Sequence, residues 1–478
     1  MVLTGLDTVE IASLIGGAIT FLLAVGAVGH ALVTKRDPRS ATIWLLAILL
    51  LPLVGVVLYV LFGINRYRRR AIRMREEHPR LAPAPSPDPA MAPAAFAGLD
   101  RLAGQTTGLP LLPGNRVTPL VDGAEAYPAM LEAIREARAS VALMSFIFDG
   151  TGIGEAFVAE LAAAQRRGVA VRVLIDDVHV RLSRRSAFRP LRRTGVPVAA
   201  FNATLVPARL HAANLRNHRK ILVVDGATGF IGGTNIFSPY WRPEAPRRAF
   251  RDLHFRIEGP AVLHLRDCFA QDWADTTGEV LDDAFWCGAP APVPDGAPAR
   301  GIAAGPDETL DRMRWLFLGA IATARRSIRI RTPYFVPDQA TIAALSAAAL
   351  RGVTVEILVP AENDHAFVHW AAQAHFWQVM QHGARVHARR GPFDHSKLML
   401  VDDVWVCLGS ANWDARSLRL NFEFNLEVYD PALCGRLAAD FDRIRAQECD
   451  AVTAETLATR SLPAKLRDGF ARLFAPIL

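Results

Sequence analysis

The chain has 478 residues, 51% hydrophobic, with a formal net charge of +7. That length suffices for two or three domains and a large buried core. Six arginines lie within "RYRRRAIRMR", Arg66 to Arg75, beside an apolar segment, so the basic excess speaks for anionic lipid headgroups and against a nucleic-acid footprint. Five cysteines (Cys268, Cys287, Cys407, Cys434, Cys449) show no C-x-x-C spacing and no pairing logic, which reads as free thiols in a reducing compartment and gives a zinc site no support.

Ile11 to Val33 is 23 residues without a formal charge, and Ala41 to Ile64 is a second apolar run broken only by Pro52. Each is long enough to cross a hydrocarbon core of about 30 Å at about 1.5 Å per residue. The short polar link "TKRDPRS" makes the pair a membrane hairpin with spans at about 11–33 and 41–64, inside residues 1–75. A signal peptide fits poorly, because Asp7 and Glu10 precede the first run and a second run follows at once. Two buried soluble helices are the remaining alternative. The Arg run holds the end of the second span in the cytosol, so the N-terminus is expected there too.

Residues 76–105 are expected to be a Pro/Ala linker, carried by "PRLAPAPSPDPAMAP". An α/β pattern follows. Helices are predicted over Glu125–Arg138 and Gly154–Arg167, strands over Ser140–Phe148 and Val169–Asp176. A second series has helices over Leu310–Arg325 and Asp338–Arg351, with strands in "SIRIRTPYF" and "VTVEILVP". "RRGVAVRVLI" and "LRGVTVEILV" occupy equivalent places, so whole domains repeat: one at 106–295, one at 296–478, joined near "CGAPAPVPDGAPARG". The chain ends in "KLRDGFARLFAPIL", with Leu466, Phe470, Leu473, Phe474 and Ile477 on one helical stripe. That tail suits a membrane surface or a cap on the core.

The finest repeat is "HRKILVVDG" from His218 against "HSKLMLVDD" from His395. Each has Lys two residues on (Lys220, Lys397) and Asp seven on (Asp225, Asp402), and each reaches Asn at +17 (Asn235, Asn412). Of 54 basic residues only four are lysine, and two of those hold this one place, where a compact ammonium rather than a guanidinium fork is required. In a strand, residues i and i+2 share a face, so His and Lys project together. Tight reversal at Gly226–Ala227 and at Asp403–Val404 would set each Asn opposite its His. Asp225 and Asp402 sit at odd offsets and are expected to make structural salt bridges or turn bonds. Asp252 and Glu423 occupy matching places after the Asn and could each orient a His.

These groups suit a phosphodiester. Lys and Asn hold the non-bridging oxygens, a neutral His attacks phosphorus, and a protonated His supplies the leaving alkoxide. One copy has one His and the reaction uses two, so both copies are expected to build one site across a pseudo-two-fold, without metal or cofactor.

The constellation resembles the two HKD motifs of the phospholipase D superfamily. With the hairpin, "TPYFVPD", "FDHSKLMLVDD" and "GSANWDARSLRLNFE", it resembles the bacterial cardiolipin synthases within it. The resemblance implies the catalytic set His218, Lys220, Asp225, His395, Lys397 and Asp402. It also implies transfer between two phosphatidylglycerol molecules through a phosphatidyl-histidine, with His218 as nucleophile and His395 as general acid. Its implied setting is the cell inner (cytoplasmic) membrane, multi-pass, with the catalytic domains on the cytoplasmic side. The expected partners are anionic phospholipids and the membrane, not nucleic acid, and the motifs say nothing of oligomeric state. Two departures, "ALMSFIF" and "DVHV", fall near the donor or acceptor pocket. Two rival readings stay open: a phospholipase or nuclease with water as acceptor, and an inactive lipid-binding scaffold.

Overall fold

The computed structural model describes residues 8–35, 38–63, 91–203, 215–286, 288–307 and 309–475. The Arg run, the first part of the expected linker and Cys287 lie outside them. The chain divides into an N-terminal unit and a large body.

In the N-terminal unit a helix runs from Thr8 to Thr34. Ala12–Thr34 within it is the one helix among the described residues long and apolar enough to cross a membrane. The second apolar run, expected as a continuous span over 41–64, is divided into helices Pro38–Leu50 and Pro52–Leu58 and a π-helical turn Tyr59–Gly63. The division falls before a proline. Pro52 has no N–H to donate and its ring drives Leu51 out of the helical region, to φ −133° and ψ 70°. Ala24, Ala31, Ile48, Val56 and Tyr59 form a small core between the pieces, and Tyr59 Oη lies 2.7 Å from His30 Nδ1.

The body is mixed α/β around one sheet of sixteen strands. In chain order these are β1 (Leu112–Val121), β2 (Ser140–Ser145), β3 (Ala170–Asp176), β4 (Val198–Phe201), β5 (Arg216–Asn217), β6 (Ile221–Val224), β7 (Thr228–Gly232) and β8 (Leu253–Glu258). Then come β9 (Ala297–Ala304), β10 (Ser327–Arg331), β11 (Thr354–Pro360), β12 (Arg385–Arg389), β13 (Leu398–Val401), β14 (Trp405–Gly409), β15 (Asn421–Tyr429) and β16 (Cys449–Val452). From the centre outward, one half runs β1-β8-β7-β6-β2-β3-β4 and the other β9-β15-β14-β13-β10-β11-β12-β16. In each, the central strands are antiparallel and the flank (β2-β3-β4, β10-β11-β12) is parallel. The innermost strands β1 and β9 pair antiparallel and join the halves. Strands such as β6 "ILVV" and β13 "LMLV" are buried at every position, as apolar runs covered on both faces must be.

One core gathers Tyr127, Phe148, Phe157 and Leu222 in the first half; the other gathers Phe317, Ile330, Trp405 and Phe376 in the second. The expected linker ends before residue 105. Ala97–Thr107 is a helix, and Leu99 and Ala103 enter the second-half core. Burying Leu99 alone favours that docking by about 2 kcal/mol.

The two motif hairpins differ from the expected register by one residue. Ile221 pairs Ile231 and Leu398 pairs Leu408, so each turn holds three residues rather than two. Asp225 and Gly226 (φ 51° and 60°), and likewise Asp402 and Asp403 (φ 55° and 57°), take the left-handed conformation. Asp enters this region at lower cost than most residues, and Asp225 and Asp402 are held there by the long-range bonds described below.

Candidate active site

The motif residues approach one another across the join of the halves through main-chain bonds. His218 N–H donates to Phe422 O at 2.9 Å, and His395 N–H donates to Arg251 O at 2.8 Å. Each acceptor immediately precedes a carboxylate, Glu423 or Asp252. The side chains repeat the crossing. His218 Nδ1 lies 3.0 Å from Glu423 Oε2, and His395 Nδ1 lies 3.1 Å from Asp252 Oδ2. Each imidazole is therefore held by the other half, with Nε2 left for a reacting atom. Lys220 and Lys397 are buried, and each Nζ donates to its own histidine's carbonyl at 2.6 Å.

The surroundings of the two carboxylates differ. Glu423 Oε2 accepts from Ser410 Oγ at 2.6 Å and Oε1 from Asn421 Nδ2 at 3.2 Å. The β7–β8 and β14–β15 registers make Gly233 and Phe250 the counterparts of Ser410 and Asn421. A Cβ on Gly233 would fall 2.4 Å from Asp252 Oδ1, so no side chain can donate there. Asp252 instead accepts its neighbour's N–H, from Leu253 at 2.8 Å. Tyr240 Oη approaches His395 Nδ1 at 2.9 Å, and Phe250 packs edge-on against Tyr240.

Electrostatics follow these surroundings. Burial pushes His218 down to about 4, partly opposed by Glu423, and holds His395 well below the usual imidazole range, reinforced by Lys397 and Lys220. Burial lowers Lys220 to about 7 and Lys397 to about 8. Burial raises Asp252 to about 8. Glu423 is held below the ordinary carboxyl range despite its burial, by His218, Lys220 and the Ser410 hydroxyl. Charges from both halves act on each imidazole, so the groups belong to one electrostatic site.

Asp225 and Asp402 stand elsewhere. The Asp225 carboxylate accepts from the backbone N–H groups of Ala139 and Ser140 at 2.8 and 2.9 Å. Asp402 accepts from Arg325, Arg326 and Ser327 at 2.7 to 2.9 Å. Both fasten the entry of a neighbouring strand, β2 or β10, through main-chain bonds rather than salt bridges. Asn235 and Asn412 are buried. Asn235 Oδ1 accepts from Ile147 N–H at 3.1 Å, whereas Asn412 Oδ1 has no partner.

Sequence reasoning missed Tyr240, Ser410, Asn421 and Phe146, whose ring stands edge-on to His218 at 5.2 Å. Ser410 had a signal: "GGTN" and "GSAN" differ at two places, and Ser410 is the hydroxyl that the second copy adds. Among the described residues no group of three or more His, Cys, Asp and Glu is arranged to hold a metal. A surface groove of about 900 Å³ beside Trp241 and Gly152 contains none of these residues.

The family model described as "Cardiolipin synthase, PLD-like domain" matches residues 130–273 and 317–445, and "Phospholipase_D-nuclease N-terminal" matches 21–63. The chain is 33% identical to "Cardiolipin synthase A" of Pseudomonas syringae pv. syringae, covering 96% of each. It is 30% identical to "Major cardiolipin synthase ClsA" of Bacillus subtilis, covering 93% of this chain and 95% of the relative. Among solved structures, phosphatidylserine synthase of Haemophilus influenzae superposes with a TM-score of 0.62 at 17% identity, covering 79% of this chain and all of that one, which is a likeness of fold.

Proposed function

This chain belongs to the cardiolipin synthases of the phospholipase D superfamily, and we propose that its two crossed histidine–carboxylate pairs join two phosphatidylglycerol molecules into cardiolipin and glycerol. The enzyme class is phosphatidyltransferase, and its substrates are phospholipids. The observation that carries the proposal is the crossing itself: His218 with Glu423, and His395 with Asp252.

His218 is neutral at pH 7, with Nδ1–H donated to the ionised Glu423, so its Nε2 lone pair is free to attack. His395 and Asp252 together hold one proton more, which makes that pair the acid. In the first step a bond forms from His218 Nε2 to phosphorus and the bond from phosphorus to the glycerol headgroup breaks. The departing oxygen takes the proton on His395 Nε2, and Asp252 passes its own to Nδ1. In the second step the terminal hydroxyl of another phosphatidylglycerol attacks phosphorus and gives its proton to His395. The nitrogen–phosphorus bond breaks, His218 is restored and Asp252 regains its proton. Lys220, Lys397 and Asn412 face the non-bridging oxygens, where one such donor contributes about 3 kcal/mol to the barrier reduction. The incoming phosphodiester's negative charge holds both lysines protonated.

The same proposal makes residues 106–295 and 296–478 a pseudo-two-fold pair. It takes the N-terminal unit as a two-span hairpin in the inner membrane, its second span interrupted at Pro52, with the body in the cytosol. The short link and the Arg run support that orientation.

The test uses purified protein in detergent–phosphatidylglycerol micelles, beside His218→Ala and His395→Ala. Cardiolipin and glycerol in equal amounts, lost in both variants, is the expected result. Phosphatidic acid as the product would make water the acceptor. No product from folded protein would move the donor–acceptor pair to another phospholipid, with phosphatidylethanolamine tried first.

A further inference from the structure

The C-terminal helix, Leu462–Arg472, docks on Ala366–Met380 by a narrow face. Asp468 and Ala471 are buried, and Asp468 is bonded by Arg460 and by Arg467. On the opposite face, among the described residues, the Phe470 ring meets only that of Phe474, edge-on at 5.3 Å. Leu462, Leu466, Phe470 and Leu473 are 58 to 71% exposed, at spacings of four, four and three residues, which makes one continuous stripe. Trp377, on the supporting helix, is 53% exposed and borders a depression shared with Lys465, Gly469 and Arg472. A cap on a core would bury that stripe, and this helix turns it outward.

We propose that this face is a membrane-docking surface, laid flat on a bilayer that carries anionic headgroups. Eleven residues at about 1.5 Å each are too few to span a bilayer and enough to lie in its interface. Charge decides the occupant. The single acidic side chain of the helix, Asp468, is turned inward, so Lys465, Arg467 and Arg472 flank the stripe without an outward carboxylate. Arg467 is bonded to Asp468 and lies over the Trp370 ring of the supporting helix at 4.5 Å, so Lys465 and Arg472 carry the outward positive charge of the rim. Anionic headgroups complement that rim. A second copy seated isologously would set the same cations against one another. The inference goes beyond the reaction: it assigns a second membrane contact to the body itself.

The test uses the full chain in nanodiscs, with an environment-sensitive dye at Leu466→Cys or Phe470→Cys, a control dye at Arg193→Cys, and labelled wild type as background. The readout does not depend on catalysis. The expected result is blue-shifted emission and quenching by brominated acyl chains at 466 and 470, not at 193, stronger with phosphatidylglycerol than with phosphatidylcholine. Energy transfer between labels on different copies, without acyl-chain quenching, would overturn the proposal in favour of a protein interface. Water-like emission with neither effect would overturn it outright. In a Leu466→Glu/Phe470→Glu variant of unchanged Tm, vesicle turnover should fall about tenfold through a raised KM, while turnover of dispersed short-chain phosphatidylglycerol stays at the wild-type rate. Equal turnover of vesicles by variant and wild type would also overturn it.

Discussion

The His218–Glu423 and His395–Asp252 pairs share one geometry and differ in their protons. In both, the histidine N–H reaches a carbonyl of the other half, and the lysine returns to its own histidine's carbonyl. The difference lies one layer out. Glu423 is held ionised by His218 first, then by Lys220 and the Ser410 hydroxyl; Gly233 stands in Ser410's place beside Asp252, which holds its proton to about 8. The matching strand registers set where the two pairs stand, and under the proposed mechanism a few unlike neighbours set what each can do.

The sharpest way to break that comparison is to remove each histidine and change the leaving group. Both alanine variants should lose about 10⁴- to 10⁶-fold in phosphatidylglycerol turnover. With a p-nitrophenyl phosphodiester, whose leaving group departs without a proton, His395→Ala should keep a nitrophenol burst and His218→Ala should show none. Equal bursts would make the two histidines interchangeable.

Next in size is Glu423→Gln, expected to cost about 10⁴-fold by disturbing the tautomer of His218. Asp252→Asn should cost less, and chiefly below about 8, where the wild-type Asp252 holds the proton it passes to His395. The pH profile of kcat/KM gives the sign. Activity falls as pH drops through about 4, because a protonated His218 cannot attack. It falls again above about 7 to 8, where Lys220, Lys397 and Asp252 lose protons. A profile with its acid limb near 6.5 would show that burial does not depress His218.

Ser410→Ala probes the neighbour directly. Losing a hydroxyl bonded to a carboxylate is worth about 1.5–3 kcal/mol, so a ten- to hundredfold fall is expected, with the Glu423 carboxyl titrating higher by infrared difference spectroscopy. The smallest catalytic effect belongs to Asp225→Ala and Asp402→Ala. Each strands backbone N–H groups at a strand entry and should cost about 2–4 kcal/mol of stability, read as a lower Tm. Activity per folded molecule should stay within about threefold.

Sequence legibility followed the same division. The four helices and four strands predicted in the body lie within a few residues of those observed, and burial on both faces leaves little else for "ILVV" or "LMLV" to do. The Ala97–Thr107 helix escaped because its small, Ala- and Gly-rich face gains its stability only from the second-half core. The hairpin register escaped because a two-residue Asp-Gly turn and a three-residue turn with Asp in the left-handed region read alike. Within the site, the repeated offsets named the histidines and lysines. Tyr240 was invisible, since its approach to His395 spans 155 residues and no periodicity announces it.

The crossed carboxylates have a consequence for any half taken alone. Cut at the join, the first half keeps His218 and loses the residue that aims it. Two first halves brought together could repair that loss only with two copies of Asp252 beside Gly233. Such a homodimer would have to divide its protons unequally between identical pairs to run the proposed reaction. In the one polypeptide the unlike surroundings of Glu423 and Asp252 would make that choice in advance, which under the proposed mechanism gives the relay its direction.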